Sequence, residues 1–162
     1  MSEKMIGKGL VGLSRCFKEA MVLGGKTGKL LFVGSPFTCL PFAEFLSYAI
    51  RDLPMKVYFS PNGEVDAIAT IKNREGYGFT LGEVSKESNF DIIVLLGGLA
   101  MPSSKVTPKE LKFRLEKISK LDFVVGFYFQ GILNKPEWVD EFNMKYMIDG
   151  DLSKVTLTER PQ

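Results

Sequence analysis

The stretch that decides the fold is Leu30–Glu44, LLFVGSPFTCLPFAE. The run from Lys29 to Val33 is continuously apolar after its first residue, as in a strand covered on both faces. It breaks at Gly34, passes through Ser35, Pro36 and Phe37, and resumes at helical spacing. Leu40, Phe42, Ala43, Leu46, Ala49, Ile50 and Leu53 then form one broad apolar face over Thr38–Leu53. Thr38 is the better helix cap. A cap at Ser35 would bury Pro41 inside the helix, whereas after Thr38 the proline falls in the first turn, where its missing N–H costs nothing. A strand that feeds a helix through so short a turn is the first half of a βαβ unit.

Working outward, residues 6–23 carry Ile6, Leu10, Leu13, Phe17, Ala20 and Met21 on one helical stripe, stopped by Gly24 and Gly25. Pro54 ends the second helix, and Met55–Phe59 is the next strand before the turn Ser60-Pro61-Asn62-Gly63. Residues 64–89 read equally as helix, from Val65, Ile68 and Ile71, or as strand, from alternation and the hairpin signal Asn62-Gly63. Asp91–Leu96 is the clearest strand and ends at Gly97-Gly98. A helix opens at Thr107 or Pro108 and runs to Lys120, and Asp122–Phe129 is a further buried strand. A short helix at Lys135–Phe142 and a short strand at Lys145–Ile148 complete the series. Strands alternating with helices imply right-handed crossovers. The expectation is one α/β domain over residues 1–162, a three-layer sandwich with a mostly parallel sheet, Rossmann-like or flavodoxin-like.

Composition narrows the chemistry. The 162 residues include no histidine, which removes every mechanism that uses an imidazole base, and two cysteines without histidine cannot close a zinc site. No metal site is expected, and the sequence names no cofactor. A net charge of +2, with both signs interspersed, is too weak a footprint for nucleic acid. The longest apolar run, Ile92–Pro102, is about half of what a membrane span needs. The start has no signal-peptide pattern, and Cys16 and Cys39 fall in different elements, so a cytoplasmic chain with free thiols is expected.

Candidate site residues gather where strands end. In open parallel sheets ligands lie beyond the carboxyl ends of the strands, at a switch in strand order. Gly34, Ser35, Thr38, Cys39, Asn62, Gly97, Gly98, Ser103 and Gln130 would share that edge and form the site for a small-molecule ligand, such as a nucleotide or other anionic metabolite. No phosphate-loop motif accompanies them, and Pro41 leaves fewer free amides than a phosphate cradle offers. Cys39 at a helix start would have its thiolate favoured by the helix dipole, so a cysteine-dependent enzyme is the rival. A third reading is a non-catalytic interaction subunit or homodimer. It rests on the 13 Phe residues and on Gly7, Gly9 and Gly12, where another backbone could come close. The pair Asp149 and Asp151 reads as a turn.

The segments GSPFTCLPFAEFL, DIIVLLGGLAMP and GFYFQGIL, followed by a Trp and YMIDGDL, resemble a family of small archaeal proteins found mainly in methanogens. The resemblance spans nearly the whole chain. It implies an archaeal cytoplasmic protein with a Rossmann-like domain and assigns no catalytic residue.

Overall fold

The computed structural model describes residues 2–162. Strands β1 (Gly28–Gly34), β2 (Met55–Pro61), β3 (Ala69–Arg74), β4 (Gly78–Val84), β5 (Ile92–Leu96), β6 (Val124–Phe129) and β7 (Tyr146–Gly150) form one sheet, in the order β4-β3-β2-β1-β5-β6-β7. Helices α1 (Gly9–Gly24), α2 (Leu40–Ala49), α3 (Pro108–Glu116) and α4 (Pro136–Phe142) flank it. The ladders joining β2, β1, β5, β6 and β7 are parallel. The expected α/β sandwich is therefore present, with an antiparallel addition at one side.

The two apolar layers show why these sequences choose these positions. Leu30, Phe32, Ile92, Val94 and Leu96 point to one face, where Phe17 and Met21 of α1 and Ala43 and Leu46 of α2 cover them. Leu31, Val33, Ile93 and Leu95 point to the other, under Leu111 and Leu115 of α3 and Trp138 and Phe142 of α4. Alternate residues of one strand thus serve both layers, so β5 is apolar throughout. Burying a side chain such as Phe17 completely contributes about 2–3 kcal/mol. The chain leaves β1 toward β2 through α2 on one face, passes from β4 to β5 without a helix, then builds β6 and β7 through α3 and α4 on the other. Strand order reverses between β1 and β5.

The ambiguous segment resolves as a 3-10 turn at Val65–Ala67 followed by the hairpin β3–β4. The hairpin closes at Glu75-Gly76, where Gly76 has φ +83°, and not at Asn62-Gly63. Outer strand β4 is only partly covered, and Glu44 of α2 accepts the Leu81 N–H at 3.1 Å.

Helix boundaries shift for local reasons. α1 begins at Gly9 rather than residue 6 and ends, as expected, at Gly25, which takes the left-handed conformation (φ +62°). Gly7 and Gly12 lie against each other, backbone to backbone, so the close approach they permit is used within the chain itself. α2 starts at Leu40 with Cys39 as its cap residue, and Pro41 does fall in the first turn. Thr38 does not cap it. The Cys39 N–H instead donates to the Ser35 carbonyl at 2.9 Å, so the turn is already helical in hydrogen bonding from Ser35 onward. α3 is shorter than expected, ending at Glu116, and its start carries a capping box in which the Glu110 N–H donates to Thr107 Oγ1 and the Thr107 N–H donates to Glu110. No helix among the described residues is long and apolar enough to cross a membrane.

Candidate functional site

The parallel register makes the strand tips level. Gly34 stands beside Pro61 of β2, Val33 beside Leu95 of β5, and Phe129 beside Gly150 of β7. The loops after β1 and β5 meet over the point where strand order reverses. A Cβ at Gly98 would lie 2.5 Å from Cys39 Sγ and 2.8 Å from Thr38 Oγ1, and one at Gly34 would lie 2.5 Å from Cys39 Cβ. Only glycine lets these two loops close on each other. Gly34, Ser35, Thr38, Cys39 and Gly98 therefore form one cluster.

That cluster is packed rather than hollow. Cys39 is 4% exposed and fills the space between the two glycines. Burial pushes its thiol up from the ordinary value, against smaller pulls from the Thr38 hydroxyl and the backbone of Ser35 and Gly98. The expected lowering at a helix start gives way to a rise, because the turn that begins at Ser35 aims the thiol inward. What remains on the surface is a pair of hydroxyls. Thr38 Oγ1 donates to Ser35 Oγ at 3.0 Å, which leaves the Ser35 proton free to donate outward. Beside them Phe37 projects, 91% exposed.

The other candidates surround this corner with different roles. Asn62 (φ +53°) turns the chain off β2, and its N–H donates to the Gly34 carbonyl at 2.9 Å. Its carboxamide oxygen is buried with no hydrogen-bond partner among the described residues. Gly97 packs toward Tyr128 and Ile132, and Ser103 is exposed on the loop before α3. Gln130 (φ +52°) sits two strands away, where its side chain accepts the Leu152 N–H at 2.6 Å. Tyr128 is pushed up to about 12, first by burial and then by Asp149, and so stays protonated at neutral pH.

Two features escaped the sequence reading. Arg114 donates to the Asn62 carbonyl at 3.0 Å and pairs with Glu64 at 3.1 Å, fixing the turn beside the corner. Its place three residues after buried Leu111 was the available signal. The second is a groove of about 710 Å³ at the opposite, amino edge of the sheet, among Lys29, Lys56, Tyr58, Glu87 and Asp91. Its charges largely serve one another: Lys29 pairs with Glu87 at 2.9 Å, and Asp91 accepts the Lys29 N–H at 2.8 Å. No group of three or more metal-ligating side chains occurs among the described residues.

An uncharacterized protein of Methanocaldococcus jannaschii is 35% identical to this chain over 141 residues, 86% of the chain and 85% of the relative. One from Methanothermobacter thermautotrophicus is 30% identical over 142 residues, 87% and 88% of the two chains. A crystal structure of a protein of unknown function from Methanothermobacter thermautotrophicus superposes with a TM-score of 0.84 at 27% identity, covering 98% of this chain and 99% of that one. Residues 8–153 match the family described as an uncharacterized protein conserved in archaea, DUF2124, and the chain belongs to that family.

Proposed function

We propose that the protein binds a small anionic metabolite at the carboxyl edge, on the surface formed by the loops after β1 and β5. The observation that carries this reading is the fit of Gly98 against Cys39 and Thr38. Two loops are brought to the reversal of strand order by two glycines, with only the Cys39 side chain between them. The outward face carries hydroxyls instead.

The chemistry of that face suits an anion. Ser35 can donate to a phosphate or carboxylate oxygen while Thr38 donates to Ser35, and a donor so supported is stronger than an isolated hydroxyl. The start of α2 adds its positive dipole end, although Pro41 removes one amide. A nucleotide or sugar phosphate brings such oxygens. The buried, protonated thiol of Cys39 favours binding over cysteine chemistry.

A thermal-shift series with pyrophosphate, AMP, ATP and NAD tests the proposal. At about 100 times the dissociation constant a ligand adds about 2.7 kcal/mol of stability, a rise of several degrees in Tm. The double substitution Ser35→Ala, Thr38→Val should weaken binding of the responding compound about tenfold or more. Lack of stabilisation by all four would count against an anion site.

A further inference from the structure

The carboxyl-edge surface lacks two things that an anion site uses, namely a cover on its outer side, where Phe37 stands exposed, and an uncommitted basic side chain, since Arg114 beside it is paired with Glu64. Neither Gly34–Cys39 nor Gly97–Ser104 contains a lysine or arginine. Both deficits can be met by residues 151–162, which leave β7 at the same edge, carry no regular structure and are exposed throughout. Within them Val155 is 86% and Leu157 100% exposed, and Lys154 is a cation.

The direction of this segment is set at its root. The Gln130 N–H donates to the Gly150 carbonyl at 3.0 Å, the Gly131 N–H donates to Asp149 Oδ1 at 3.0 Å, and the Leu152 N–H donates to Gln130 Oε1. These three bonds tie the end of β7 to the tip of β6, one strand closer to the corner. The left-handed backbone of Gln130 presents its side chain there. From β6 to β1 is two strand spacings, about 10 Å, and three extended residues from Leu152 to Val155 span about 10 Å. The segment is therefore long enough for Val155 to reach the tip of β1, where Phe37 stands 91% exposed, and for Lys154 to come beside Ser35 and Thr38.

We propose that residues 152–157 act as a strap that closes over the carboxyl edge when an anion binds, with Lys154 supplying the cation and Val155 and Leu157 covering Phe37. The proposal rests on the anion-site reading above and deepens it. The hinge is the Gln130–Leu152 bond.

The test compares three proteins with pyrophosphate as the probe: the full chain, a chain ending at Asp151, and Lys154→Gln. Calorimetry is expected to give at least fivefold weaker binding for both altered chains. Trypsin cuts the segment after Lys154 but not between Arg160 and Pro161, so cleavage there reports closure. Millimolar pyrophosphate should slow this cut at least fivefold in the full chain, and much less in Gln130→Asn, which keeps a residue suited to the left-handed backbone but shortens its reach. Equal binding by all three chains with unchanged cleavage overturns the strap and leaves the anion site standing. Tighter binding by the shortened chain overturns it as well, since the segment would then obstruct. If no chain binds pyrophosphate, AMP, ATP or NAD, the anion site fails, and the strap fails with it.

Discussion

The two ends of the sheet solve opposite problems. At the carboxyl edge, space has been removed: Gly34 and Gly98 bring two loops into contact around Cys39, and small hydroxyls face outward. At the amino edge, space remains, but Lys29, Glu87 and Asp91 are already committed to one another and to nearby backbone. Lys29 holds Glu87 and the Ser88 carbonyl, and Asp91 holds the backbone of β1. A hollow in which three of the four charged side chains are already committed offers a ligand little beyond the exposed Lys56. A packed corner with an outward hydroxyl donor offers an anion more, so volume alone is a poor guide to a candidate site.

The comparison is broken most forcefully at Gly98. Gly98→Ala places a methyl 2.5 Å from Cys39 Sγ and 2.8 Å from Thr38 Oγ1 in a region that has no slack. Overpacking of this kind costs about 2 kcal/mol. An exposed substitution at the amino edge, Lys56→Ala, should stay within about 0.5 kcal/mol. Urea denaturation measures both. Adding Cys39→Ala to Gly98→Ala should recover at least about 0.5 kcal/mol relative to the sum of the single changes, because the sulfur is the nearest obstacle. Strict additivity would mean that the two loops do not press on each other as described.

A smaller effect is expected in thiol chemistry. Burial raises both cysteines from their ordinary value, but Cys39 is buried and Cys16 only half-buried. In single-cysteine variants at pH 8, iodoacetamide should modify Cys39 about tenfold more slowly than a free-cysteine peptide, with Cys16 between them. A Cys39 rate equal to that of the peptide would open the corner and revive a catalytic thiol.

What the sequence disclosed, and what it withheld, follows the same division. β1, β5 and β6 are legible because strands covered on both faces need unbroken apolar runs, and such runs have few other uses in a chain of this size. The shared edge of Gly34, Asn62, Gly98 and Gln130 follows from strand–helix alternation in a parallel sheet, whereas the position of the order reversal is visible only in the structure. The β3–β4 hairpin was not legible. β4 exposes Leu81 and Val84, so its pattern is not driven by burial, and its outer edge is held by Glu44 from 37 residues earlier. The direction of the Cys39 thiol was equally hidden. It depends on a hydrogen bond to Ser35 that starts the helical turn three residues before the expected cap at Thr38. The amino-edge charges depend on Lys29 meeting Glu87 across 58 positions, which no local pattern announces.

That last pair gives the finest distinction between the two edges, because it makes the amino edge sensitive to pH. The Glu87 carboxyl is held below its ordinary value of 4.5, first by the hydrogen bond from Lys29 Nζ and by its charge, with Lys56 adding to them. A depressed folded-state pKa contributes stability that is complete above the unfolded value and disappears as pH falls through the folded one. Lys29→Met keeps the aliphatic stem beside Phe90, whose ring centroid lies 5.9 Å from the ammonium, and removes the ammonium with its bonds to Glu87 and the Ser88 carbonyl, of which only the first varies with pH in this range. The stability gap between the parent and Lys29→Met should therefore be constant from pH 7 down to about pH 5 and then narrow below 4.5. The Lys18–Asp52 pair is present in both proteins and cancels from the difference. Urea midpoints at pH 7, 5, 4 and 3 read the effect directly. Parallel curves through that window would show that Lys29 steadies the amino edge by packing alone, and the charges there would then be less committed to one another than their 2.9 Å separation implies.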